Sequence, residues 1–108
     1  MNIQDYKNFY QKKFKNKTKE NKIILVCIEL DYTLDQIEFL ENIYMTGGKY
    51  CRLCSDGFQD KALSERQELC QKSSALYSML AELNGKDYIT KKEIKKIVIE
   101  NTNNFINL

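Results

Sequence analysis

Lys22-Ile23-Ile24-Leu25-Val26-Cys27-Ile28-Glu29-Leu30-Asp31 is the most apolar stretch of the chain, and its reading decides the fold class. Ile23 to Ile28 are all apolar and four of these six are β-branched, which predicts a strand over residues 23–31. Strand alternation puts Ile24, Val26, Ile28 and Leu30 on one face, expected to be core. Ile23, Leu25, Cys27 and Glu29 then lie on the other.

Moving toward the C-terminus, Thr33 reads as an N-cap for a helix from Leu34 to Met45. Ile37, Phe39, Leu40, Ile43 and Tyr44 share an arc of about 160° on its wheel. Asp35, Glu38, Glu41 and Asn42 lie opposite. Gly47 and Gly48 are the expected stop. Residues 49–59 fit neither a helical nor a strand period. A long helix follows over residues 61–83, with Leu63, Cys70, Tyr77 and Leu80 on one side and Asn84-Gly85 as its end. Lys86 to Ile89 could pair with residues 23–31 as a second strand. Thr90 and Glu93 have capping-box spacing for a last helix, with Ile94, Ile97, Val98 and Phe105 as its buried side.

On the N-terminal side, Ile3, Tyr6, Tyr10 and Phe14 form one stripe of a short helix over residues 3–14. Residues 15–22 have no apolar member and read as a solvated linker. The expected architecture is therefore α+β and predominantly helical, about four helices around a minimal two-stranded sheet. The 108 residues make one domain, with a basic N-terminal helix and linker at 1–22 and a core at 23–108.

Charge is segregated along this order. Residues 1–22 carry seven lysines against Asp5 and Glu20. Residues 27–70 carry nine acids against four bases, and residues 86–96 carry five lysines against Asp87 and Glu93. Lys, Asn, Ile and Tyr supply 43 of the 108 residues. Their AT-rich codons suit a phage or another mobile element. No run approaches the roughly 20 apolar residues of a membrane span, and the lysine-rich start has no signal-peptide core. The expected setting is the cytoplasm, where cysteines stay reduced.

Histidine is absent. Ser–His–Asp triads, Cys–His dyads and Cys/His zinc sites are thereby excluded. There is also no phosphate-binding glycine motif, so neither an enzyme nor a cofactor is expected. Cys51 and Cys54 form a CxxC that Cys27 and Cys70 could complete as zinc ligands. Yet Cys27 sits in an apolar run and Cys70 on an apolar helix line, where cysteine commonly serves as packing, and no metal site is assigned.

Two surfaces remain. Asp35, Glu38 and Glu41 lie within about 120° on one helix face and are the candidate protein-binding residues. Such a face suits the basic groove of a protein partner, including one built for nucleic-acid phosphates. The function expected is a small binding protein that modulates or inhibits that partner. The alternative is a DNA- or RNA-binding accessory protein. It would use Lys12, Lys13 and Lys15 at one end and Lys92, Lys95 and Lys96 at the other.

Overall fold

The computed structural model describes residues 1–42, 56–85 and 89–101, with side chains in the third helix from Leu63 onward. Four helices carry these residues: α1 (Ile3–Lys13), α2 (Lys19–Leu40), α3 (Asp56–Asn84) and α4 (Lys91–Glu100). Among the described residues there is no strand. The α+β expectation with its two-stranded sheet is therefore corrected to an all-helical fold.

The correction turns on residues 23–31, which are the middle of α2 rather than a strand. A continuous apolar run is compatible with a buried strand and equally with a helix buried on several sides. Here the second case holds, because α2 packs against both α3 and α4. Val26, Cys27 and Leu30 are fully buried, and Ile23, Leu25 and Leu34 pack around them. The residues from Thr18 to Leu40 contain no glycine or proline, so nothing interrupts one helix of 22 residues. Its start is Thr18, whose side chain accepts the Asn21 backbone N–H at 3.2 Å. Residues 15–22 are thus a short turn and the first turn of α2, not a linker.

Thr33 is not a cap. It lies inside α2, fully buried, and its hydroxyl donates to the Glu29 carbonyl oxygen at 2.7 Å. That bond satisfies the hydroxyl within the helix, which lets a polar residue occupy a core position.

The other helices follow their local signals more closely. Asn2 and Asp5 form a reciprocal capping box at the start of α1. Tyr10 and Phe14 are buried at its far end, against α3. In α3 the buried positions are Ser73, Ala75, Leu76, Met79 and Leu80, whereas Leu63 is exposed. Gly85 ends that helix with a positive φ of 68°, a conformation that glycine adopts without strain. Thr90 caps α4 and accepts the Glu93 N–H at 3.1 Å. Ile94 is fully buried, and Ile97 and Val98 pack beside it.

Of the proposed second strand, residues 86–88 lie outside the described residues, and Ile89 is a buried residue without strand pairing. Gly47, Gly48, Cys51, Cys54 and Phe105 also lie outside them. The core is a three-helix packing of α2, α3 and α4, extended by α1 on α3. Burying each large side chain such as Leu30, Leu76 or Leu80 contributes about 1.5–3 kcal/mol.

Candidate functional site

The acids of α2 meet cations on neighbouring elements. Asp35 lies 3.7 Å from Lys95 of α4, which also bonds Asp31 at 3.0 Å. Glu38 lies 3.3 Å from Lys91. Glu41 accepts from Arg66 of α3, with Nη2 at 2.7 Å and Nε at 2.8 Å. Glu29 lies 3.8 Å from both Lys13 and Lys72 and accepts the Tyr10 hydroxyl at 3.4 Å. The three predicted protein-binding acids thus each bridge α2 to α3 or to α4.

These contacts have legible electrostatic effects. The hydrogen bond to Asp31 holds the Lys95 ammonium above its ordinary range against some desolvation. The hydrogen bond from Arg66 to Glu41 does the same for the guanidinium. Pairs this exposed contribute little to stability, because water and salt screen them. Their larger effect is on the surface field, since Asp35, Glu38 and Glu41 are each partly offset by a cation within 4 Å.

A second feature of α2 was not legible while residues 23–31 read as a strand. Tyr32 is 61% exposed and Phe39 58%. At 100° per residue, these rings lie about 20° apart and nearly opposite Leu30. Asp35 and Gln36 lie between them. Glu65 and Leu69 of α3 close the other side, leaving a shallow groove of about 360 Å³. An adjoining depression runs past Gln36, Ser64, Glu65, Glu68 and Leu69. Glu65 has no ion-pair partner among the described residues. The available signal was the seven-residue spacing of Tyr32 and Phe39, which becomes meaningful once both belong to one helix.

Glu68, beside this depression, also ties the N-terminus down. It accepts from the Tyr6 hydroxyl at 2.7 Å and lies 3.3 Å from the Met1 ammonium. Hydrogen bonding from Tyr6, then from the ammonium, lowers its pKa. Burial, then the bond to Glu68, pushes Tyr6 up to about 12.

The predicted nucleic-acid-binding lysines separate into different environments. Lys12, Lys15 and Lys92 have no ion-pair partner among the described residues. Lys13 faces Glu29 and lies within 6 Å of the Phe9, Tyr10 and Phe14 rings. Lys95 is committed to Asp31 and Asp35, and Lys96 sits 4.0 Å from Glu100.

A cavity of about 210 Å³ lies where α1, α2 and α3 meet, lined by Gln11, Phe14, Lys22, Met79, Glu82 and Leu83. Its lining includes one cation, Lys22, and one anion, Glu82, beside the apolar Phe14, Met79 and Leu83. Cys27 is buried, and burial, then the Asp31 charge, pushes its thiol up to about 11. It is therefore a neutral packing group near pH 7. Among the described residues no three potential ligands converge on a metal position. No helix there is long and apolar enough to cross a membrane. Comparison with known protein families, with curated proteins and with solved structures finds no match.

Proposed function

We propose that this chain is a non-catalytic binding protein that docks on a protein partner through the acidic, aromatic face of α2 and α3. The observation that carries the reading is the exposure of Tyr32 and Phe39 on one stripe of α2, beside the Leu69 groove. Aromatic side chains are enriched at the cores of protein interfaces, and tyrosine is among the residues enriched at their energetic hot spots. Asp35 and Glu65 border these rings, and Glu65 has no ion-pair partner among the described residues. The complementary partner presents lysine or arginine around an apolar recess, as a groove built for phosphates does. Occlusion of that recess is the proposed mode of modulation and needs no catalytic group on this chain.

The test is affinity capture from a lysate of the source cells, comparing the parent with Tyr32→Ala/Phe39→Ala and with Glu65→Lys. Both sets of side chains are exposed, so folding, checked by circular dichroism, is expected to persist. The partner should be recovered with the parent and reduced at least tenfold with the double variant, as for loss of interface hot spots. Glu65→Lys should weaken capture in a salt-dependent way. Equal recovery by parent and both variants would reject this surface. Glu65 is preferred to Glu38 or Glu41 for charge reversal because reversal there opposes no Lys91 or Arg66.

A further inference from the structure

We infer that the corner joining α1 to α2 is a binding site for the backbone of single-stranded nucleic acid, separate from the α2–α3 groove. The fold distributes its cations unevenly. Lys7, Lys13, Arg66, Lys72, Lys91, Lys95 and Lys96 each reach a carboxylate. By contrast, Lys12, Lys15, Lys17, Lys19 and Lys22 have no such partner among the described residues, and they fall within 11 consecutive positions. Glu20 is the one acid in that span.

These lysines flank and occupy one interhelical turn. α1 ends at Lys13, and α2 begins at Lys19 after the Thr18 cap. Lys15 and Lys17 therefore occupy the intervening turn, between the last turn of one helix and the first of the next. The positive end of the α2 dipole points into the same corner. Unpaired like charges around one turn repel one another, and a polyanion relieves that repulsion while releasing its own counterions.

Phe9 makes a single strand the better fit than a duplex. Its ring is 51% exposed. It meets Tyr10 edge to face at 5.1 Å and has Lys13 5.9 Å from its centroid. Lys12 is its i,i+3 neighbour on α1. An accessible ring beside lysines can stack on an unpaired base while ammonium groups follow the phosphates. Lysine supplies charge without the planar fork that reads base edges, so the binding is indifferent to sequence.

Fluorescence anisotropy with labelled single-stranded and duplex oligonucleotides of mixed sequence, across a salt series, tests this. The parent should bind the single strand more tightly than the duplex, with affinity falling steeply as salt rises. Lys12→Gln/Lys15→Gln/Lys17→Gln should weaken binding at least tenfold and flatten the log–log salt slope by about two, at roughly 0.7 per lost contact. Phe9→Ala should weaken single-strand binding about fivefold or more and leave the salt slope unchanged. These side chains are exposed, so the variants should fold, as circular dichroism will show. Absence of binding at low salt, or an unchanged triple variant, overturns the site. Equal binding to duplex with no effect of Phe9→Ala overturns the single-strand assignment. Tighter binding to polyglutamate or to anionic phospholipid vesicles overturns nucleic acid as the occupant.

Discussion

Thr33 shows how one side chain changes meaning with its surroundings. As an N-cap it would satisfy orphan donors, and its loss would cost about 1 kcal/mol. Inside α2 its hydroxyl instead bonds a carbonyl four residues back, and its methyl lies in the core. Thr33→Val keeps that shape and leaves no unsatisfied donor. It should change stability by less than about 1 kcal/mol in urea denaturation. Leu76→Ala, which empties a fully buried position, should cost about 2–5 kcal/mol. The Tyr6–Glu68 contact carries a pH signature of its own. The Glu68 pKa is lowered in the fold, so its contribution is present above the unfolded value of about 4.3. It is lost as pH falls through the lower folded value. Tyr6 is raised to about 12, so its contribution is present below about 10 and is lost as pH rises toward 12. Urea midpoints across pH should therefore lose an acidic component in Glu68→Gln and an alkaline one in Tyr6→Phe.

At the scale of elements, α2 organises the molecule. Its apolar middle serves two helical neighbours, which is why its residues show no single amphipathic stripe. The caps give an independent check on the helix boundaries. If residues 15–22 were a linker, Thr18→Ala would be neutral. As the cap of α2 it should lower stability by about 1 kcal/mol, and Thr90→Ala should do the same for α4. Ile94 is the fully buried residue of α4. Ile94→Ala should cost about 2–5 kcal/mol, whereas Ile99→Ala, at a position 71% exposed, should stay within about 0.5 kcal/mol. Thermal or urea unfolding of these four variants separates the cases.

For the whole molecule, the two proposed surfaces lie toward opposite ends of α2. Lys19 and Phe39 are about 30 Å apart along the helix at 1.5 Å per residue. Variants at that separation, sharing no contacts, should act independently. Tyr32→Ala/Phe39→Ala should leave oligonucleotide affinity within about twofold of the parent. The triple lysine variant should leave protein capture unchanged. Cross-effects in both assays would point instead to one continuous surface. Glu29, Asp31, Asp35 and Glu38, which lie between Lys19 and Phe39, do not form an open field, because α3 and α4 supply cations that meet them.

The amino-acid sequence by itself determined the helical character of α1, α3 and α4, because their caps, stops and stripes are local properties of consecutive residues. The Ile3, Tyr6, Tyr10 and Phe14 stripe, Asn84-Gly85, and Thr90 with Glu93 are each set by residues near one another in the chain. The same holds for the lysine excess at 12–22, which depends on composition alone. Tertiary structure decided the state of residues 23–31. A β-branched apolar run is stable as a strand or as a helix buried on several sides, and only the packing of α3 and α4 around α2 selects the second. It also decided which charges are free. Asp35, Glu38 and Glu41 resemble an open acidic face until Lys95, Lys91 and Arg66 arrive from distant parts of the chain. Tyr32 and Phe39 likewise become an exposed pair only when one continuous helix turns both away from Leu30.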